Sequence, residues 1–143
     1  MIEENRPADG AEWWTLHTDG AARGNPGPAG AGAVLLDGQG RVLAELSRSL
    51  GVRTNNEAEY HGLLLGLAEV RRLGGRRLRL RLDSELVVRQ LQGRYRVKHP
   101  HLIPLYRQAM VLLRELEVYD IMHVRRELNA EADALASKAA GQG

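Results

Sequence analysis

The feature that most constrains this chain is the order in which its hydrophobic periodicity changes. Trp13–Asp19 alternates, with Trp14, Leu16 and Thr18 on one face and Trp13, Thr15, His17 and Asp19 on the other, as a strand does. Gly24-Asn25-Pro26-Gly27-Pro28 reads as a turn. Ala29–Leu36 and Arg41–Leu50 read as two more strands, joined through the hairpin signal Asp37-Gly38-Gln39-Gly40. Thr54-Asn55-Asn56 offers N-cap groups for a long helix that stops near Gly74-Gly75. Leu78, Leu80 and Leu82 alternate with Arg79, Arg81 and Asp83 as a fourth strand. A short helix over Ser84–Leu91, a basic loop over Gly93–Pro100 and a helix over Leu102–Leu116 follow, with Pro104 tolerated in the first turn. Glu117–Val124 is the last strand and Asn129–Ala140 the last helix, capped by Asn129. The order β-β-β-α-β-α-α-β-α predicts an α/β fold: an antiparallel meander, then helical crossovers, giving a mixed sheet covered by helices.

With 143 residues the chain suits one core rather than two. Residues 1–10 read as a flexible N-terminal tail and 11–143 as the folded domain. No apolar run approaches the roughly 18 residues of a membrane span, so no membrane partner is expected. The acidic, polar start argues against a secretory leader. Zero cysteines exclude disulfides and thiolate metal sites and fit a reducing, cytoplasmic setting. Any metal must then be held by oxygen or imidazole. No heptad pattern or broad apolar helix face demands a dimer, and a monomer is expected.

The formal charge is only +2, yet the basic residues are clustered and almost all arginine. Arg71, Arg72, Arg76, Arg77, Arg79 and Arg81 crowd one segment; Arg89, Arg94, Arg96 and Lys98 crowd another. Such clusters serve either a polyanion partner through phosphate contacts or a solvated surface. With two Trp, four Tyr and no Phe, base stacking is not the main binding device.

The acids are placed unusually. Asp19 and Asp83 each end a strand, and strand ends that open into loops are common ligand sites in α/β sheets. Alone, each is as well explained by turn formation or helix capping. On the long helix Glu57 and Glu59 lie about 200° apart at ~100° per residue. Glu59 shares a face with Gly62, Leu63 and Gly66, the stripe expected to pack on the sheet, whereas Glu57 is expected to face solvent. A carboxylate on a packed face costs free energy unless something compensates it. Asp133 falls in the first turn of the last helix, where the helix dipole alone would favour an acid. If the four acids converge, protonation or cations must relieve their repulsion. Oxygen-only ligation favours a hard ion, magnesium or manganese, and two such ions can hydrolyse a phosphodiester.

Four segments then resemble one family in order. Thr18-Asp19-Gly20-Ala21-Ala22-Arg23-Gly24-Asn25-Pro26-Gly27-Pro28-Ala29-Gly30 resembles the opening motif of the type 1 ribonuclease H family. Thr54-Asn55-Asn56-Glu57-Ala58-Glu59, Asp83-Ser84-Glu85-Leu86-Val87 and Asn129-Ala130-Glu131-Ala132-Asp133-Ala134-Leu135-Ala136 resemble its second, third and fourth motifs. The resemblance spans residues 13–140. It implies a ribonuclease H-like catalytic domain over residues 11–143, with a five-stranded sheet of three antiparallel strands and then two parallel ones. It implies a metal-dependent endoribonuclease that cuts the RNA strand of RNA/DNA hybrids, leaving 5′-phosphate and 3′-hydroxyl ends. Asp19, Glu59, Asp83 and Asp133 would be catalytic, ligating two Mg2+ or Mn2+ ions. Asn25, Asn55 and Asn56 match positions that contact nucleic acid, and Thr54 a position that helps hold a DNA phosphate; reading the 2′-hydroxyl distinguishes RNA from DNA. The rival reading is a catalytically silent module that binds hybrid or double-stranded RNA.

Several departures stand out. Glu85 replaces a Gln of many relatives, and an ionised acid cannot donate to a base edge. Gly93–His101 is too short for the basic protrusion of the familiar bacterial branch, leaving Arg94, Arg96 and Lys98 as its partial substitutes. Arg125-Arg126-Glu127-Leu128 is too short for the flexible loop that carries a histidine in that branch, and His123 should lie on the strand. The pattern is similar to a compact branch of the family, some members of which also cut double-stranded RNA. His17 is expected to pack on its strand, Trp13 and Trp14 to pack or sit at an edge, and His61, His99 and His101 to lie at the surface. Arg79 and Arg81, on the Asp83 face, are odd for a central strand and are open to two readings, pairing with acids or facing the solvent-accessible side. Gly30 and Gly32 permit either nucleic-acid approach or close packing.

Overall fold

The computed structural model describes residues 12–142, so the tail expected at residues 1–10 lies outside the described residues. Three strands, β1 (Trp13–Ala22), β2 (Gly27–Leu36) and β3 (Val42–Arg53), form the meander. Helix α1 (Asn55–Leu73) leads to β4 (Arg77–Leu82), and α2 (Glu85–Leu91) and α3 (Ile103–Arg114) lead to β5 (Val118–His123). A 3-10 turn (Arg126–Asn129) enters the last helix, α4 (Ala130–Gln142). The sheet has five strands in the order β3-β2-β1-β4-β5. The β1/β2 and β2/β3 pairs are antiparallel, and β1/β4 and β4/β5 are parallel, as the sequence pattern implied. Helix α1 carries the chain from β3 to β4, and α2 and α3 carry it from β4 to β5, the crossovers that parallel pairing needs.

Local chemistry sets the boundaries. Thr54 caps α1, accepting from the Glu57 N–H at 3.1 Å, while the Glu57 carboxylate accepts from the Thr54 N–H at 2.8 Å. That reciprocal box satisfies two free donors of the first turn. Gly74 ends α1 with φ +81°, a left-handed conformation that glycine adopts without penalty. Glu57, expected to face solvent, is thus half-buried and held by the backbone.

One face of the sheet carries the core. Leu16, Leu35, Leu78, Leu80 and Leu82 meet Tyr60, Leu63, Leu67 and Val70 of α1, with Val87 and Val88 of α2 and Leu113 of α3 closing the cluster. The opposite face is covered over β1–β3 by α4, through Ala132, Ala136, Ala139 and Ala140, all buried. The glycines of β2 explain the small residues. A Cβ at Gly30 would collide with the Ala136 carbonyl and the Ala140 amide, and one at Gly32 with the Ala132 carbonyl. Helix backbone therefore rests on strand backbone, and close packing is the reading the structure selects for these glycines. Ser47 and Ser49 of β3 donate to the Leu135 and Ala139 carbonyls, both at 2.8 Å, fixing the helix along its length.

Arg79 and Arg81 are now accounted for. They emerge on the sheet face away from the leucines, where Arg79 lies over the Trp13 ring at 4.8 Å and Arg81 pairs with Asp120 at 2.7 Å. The side chain of Trp14 packs on the core instead. Neither tryptophan forms an open stacking platform. The last helix departs from expectation at its start: Asn129 does not cap it, for its side chain is buried beneath the turn and bonded to β1.

Because α4 touches backbone at Gly32, Gly32→Val should destabilise the fold by about 3 kcal/mol, the upper range for overpacking. Urea unfolding checks this; a midpoint unchanged from wild type would refute the packing.

Candidate active site

Two close backbone contacts bring the acids together. At the end of β1, a Cβ on Gly20 would strike the Ala58 carbonyl and the Glu59 amide, and a Cβ on Gly62 would strike the Asp19 carbonyl. With glycine at both places, the first two turns of α1 lie directly on the strand end. Glu59 then sits beside Asp19. Asp83, one residue beyond β4, joins them because β4 runs parallel to β1 at its side and ends at the same edge. Ser84 then caps α2, accepting from the Val87 N–H at 3.3 Å, so the chain turns away just after Asp83.

One carboxylate oxygen each from Asp19, Glu59 and Asp83 lies within 4.8 Å of the others. Asp133, from the first turn of α4, neighbours Asp19 but stands outside that group of three. So the structure gathers all four predicted acids at one edge, three tightly and the fourth against Asp19. Burial pushes the Asp19 carboxyl up to about 7; the hydrogen bonds from Glu59 and the Gly20 amide oppose this, and the neighbouring Asp133 and Asp83 add to it. Burial and the Asp19 charge push Glu59 well above the ordinary carboxylate range. Without a cation, the Asp19–Glu59 pair holds a proton near neutrality, as closely spaced acids must.

The donor set fits a hard divalent cation. Glu59 Oε1 is buried with no hydrogen-bond partner among the described residues, an oxygen that a cation would satisfy. Carboxylate oxygens alone, without sulfur or imidazole, suit magnesium or manganese. Asp19, Glu59 and Asp83 would hold such an ion, with Asp133 reaching it from the Asp19 side.

The residues predicted to contact nucleic acid surround this edge. Asn25, exposed in the β1–β2 turn, accepts from the Asn55 N–H at 3.0 Å and so ties that turn to the start of α1. The Asn25 Nδ2 has no hydrogen-bond partner among the described residues. Thr54 accepts from Glu57 through its hydroxyl, which keeps its own proton to give. Asn55 is exposed and Asn56 half-buried beside it. Around them the first turn of a 19-residue helix adds the positive end of its dipole.

The arginine clusters separate into two roles. In the first, Arg71 pairs with Glu115, Arg72 with Glu69, Arg77 with Glu117 and Arg81 with Asp120. Those residues serve the far end of α1 and the β4–β5 face. In the second, Arg89 pairs with Glu85 at 2.6 Å, but Arg94, Arg96 and Lys98 are exposed and make no ion pair among the described residues. Their loop runs back to the site, where His101 Nδ1 lies 3.4 Å from the Glu57 carboxylate. His123 ends β5, on the strand as expected, and is exposed. His17 is half-buried and bonded to Asn129, in keeping with a packing residue.

The four acids singled out in the sequence lie at one edge, whereas the contact at Gly20 and the position of Asn129 were not anticipated. The glycine directly after Asp19 was the only available signal for the first. For the second there was none, since Asn at that place reads as a cap.

Comparison with known proteins converges on one family. A family model described as reverse transcriptase-like matches residues 17–139. A bifunctional protein of Mycobacterium tuberculosis is 45% identical over 125 residues, covering 87% of this chain and 34% of its own length. A ribonuclease HI of Halobacterium salinarum is 43% identical over 121 residues, covering 85% of this chain and 61% of its own. The chain therefore spans about a third of the mycobacterial relative and three-fifths of the archaeal one. Among solved structures, the N-terminal RNase H domain of the M. tuberculosis protein superposes with a TM-score of 0.89 at 43% identity, covering 92% of this chain and 97% of that one. The RNase H1 of H. salinarum gives 0.88 at 40% identity, covering 92% and 99%. An RNase H1 designated LC11, solved in complex with RNA/DNA hybrid, gives 0.85 at 40% identity, covering 90% and 97%.

The raised Asp19 value makes a signed prediction for metal-free protein. Its folded-state carboxyl titrates at about 7 against an ordinary 3.8, so the protonated form favours the fold and stability is lost as pH rises between those values. Asp19→Asn should then stabilise the metal-free protein at pH 8 by on the order of 2 kcal/mol, the gain shrinking as pH falls toward 4. Denaturation in chelator at several pH values tests it; a pH-independent difference would refute it.

Proposed function

The chain belongs to the type 1 ribonuclease H family, and we propose that it is a metal-dependent endoribonuclease acting on the RNA strand of RNA/DNA hybrids. The observation that carries this reading is the convergence of Asp19, Glu59 and Asp83 within 4.8 Å, with a buried Glu59 oxygen left unpaired. A binding module for a polyanion gains nothing from repelling carboxylates set beside phosphates. A hydrolase that needs cations there does.

In this reading Asp19, Glu59, Asp83 and Asp133 hold two Mg2+ or Mn2+ ions. When bound, these supply the charge that activates an attacking water and stabilises the leaving oxygen. Hydrolysis adds water across the P–O3′ bond, leaving a 5′-phosphate on one product and a 3′-hydroxyl on the other. The remaining work is grip and selection. The Thr54 hydroxyl and the Asn25 amide donate to backbone oxygens of the duplex, and Asn55 and Asn56 face its minor groove. A 2′-hydroxyl read there marks the RNA strand. Arg94, Arg96 and Lys98 extend the contact along the phosphates. The short α2–α3 loop, with no long protrusion, leaves the duplex held mainly from the α1 side.

The decisive experiment uses end-labelled RNA/DNA, RNA/RNA and DNA/DNA duplexes of one sequence in magnesium, manganese and chelator. Metal-dependent cutting of the RNA in the hybrid is expected, abolished in Asp83→Asn. Hybrid bound but uncut under every metal would favour the silent binding module instead, and the RNA/RNA lane decides whether double-stranded RNA is also a substrate. Replacing Arg94, Arg96 and Lys98 together by alanine should raise KM with kcat little changed. It should also flatten the dependence of binding on salt by about 0.9 log units per lost phosphate contact. An unchanged salt slope would remove the loop from the interface.

A further inference from the structure

Asn129 is 1% exposed, at the join between the 3-10 turn and α4, and both polar atoms of its side chain are bonded. Its Nδ2 donates to the Thr18 carbonyl at 2.9 Å, and its Oδ1 lies 3.1 Å from His17 Nδ1. The Thr18 carbonyl belongs to the peptide whose nitrogen is that of Asp19. Four residues after Asn129, one turn along α4, comes Asp133. A single buried amide therefore joins the strand that carries Asp19 to the helix that carries Asp133, close to both.

This link is needed for a physical reason. Along α4 the closest contacts with β2 are made by alanines and the Leu135 Cβ against glycines, with two serine bonds to its carbonyls from β3. Small residues allow close approach but few interlocking shapes, so they resist sliding of the helix weakly. The serine bonds lie at Leu135 and Ala139, beyond Asp133. At the Asp133 end, the directional bonds from the turn to β1 come from Asn129. Burial of an amide at that place is stabilising only with its bonds made, which gives the contact a defined geometry.

We propose that Asn129 is a positioning residue for the carboxylate cluster: it sets the separation of Asp133 from Asp19, and through it the affinity for divalent cation. The inference rests on the reading that the cluster binds such ions. It assigns Asn129 no contact with substrate. It separates the fourth acid from the other three, since Asp19, Glu59 and Asp83 are gathered by the strand ends and the Gly20 and Gly62 contacts without it.

The test is calorimetric titration of Mn2+ into metal-free wild type and Asn129→Ala, with kcat and KM for the hybrid measured across Mn2+ concentrations. Loss of an outer partner of a metal site typically weakens binding about 10- to 100-fold, and that is the shift expected here. The fall in kcat should be recovered at high Mn2+, with KM for the hybrid unchanged. Unaltered Mn2+ affinity in a folded Asn129→Ala protein, even one with a lowered melting temperature, would overturn the inference and leave Asn129 a packing residue. If wild type itself binds no Mn2+, the reading of the cluster fails, which is a different result. Should Asn129→Ala not fold, Asn129→Ser, which shortens the side chain but keeps a hydroxyl donor, carries the same titration.

Discussion

The site depends on one contact, backbone against backbone, where α1 lies on the end of β1. Gly20 and Gly62 leave no room for a Cβ there, and their absence of side chains lets a helix carboxylate reach a strand carboxylate. Any larger residue would lift α1 and separate Glu59 from Asp19. The gain is a cluster of acids that ordinary packing would avoid, since burial and mutual charge both oppose their ionisation. Such a cluster costs stability unless a cation offsets it. The rest of the architecture is consistent with carrying that cost: a large leucine core on one face and a continuous helix-on-sheet layer on the other.

The two faces of the sheet solve different problems. On the leucine face, burial of large apolar side chains supplies most of the driving force, and the parallel strands β4 and β1 are its centre. On the α4 face the residues are small, so the layer is thin and its placement matters more than its area. Ser47, Ser49 and Asn129 provide the directional bonds that fix it. That division explains why a fold with so many alanines and glycines around one helix still places a charged residue, Asp133, beside another acid.

The arginines illustrate how composition misleads without geometry. The densest cluster, around residues 71–81, is satisfied by acids of α1, α3 and the β5 region and by the Trp13 ring. The smaller set, Arg94, Arg96 and Lys98, is the one left exposed without acid partners, on the loop whose end touches the start of α1. Charge density along the sequence could not separate the two clusters; their partners do.

The sequence by itself determined the element order and the mixed sheet, and it singled out the four acids that the fold brings to one edge. Alternation at Leu78, Leu80 and Leu82 and the Thr54 cap are local effects, and local effects are written in consecutive residues. The helical face of Glu59 was legible for the same reason, because a period of 3.6 fixes which residues share a side. Only the tertiary structure decided what those residues meet. It turned Asn129 from an apparent cap into a link across 111 positions of sequence to Thr18, and Glu57 from a solvent-facing acid into half of a capping box. It paired Arg81 with Asp120 and stacked Arg79 on Trp13. These are contacts between distant segments, each made by a side chain that has a sound local alternative. The choice between the alternatives depends on how closely the layers pack, which no single stretch of chain encodes.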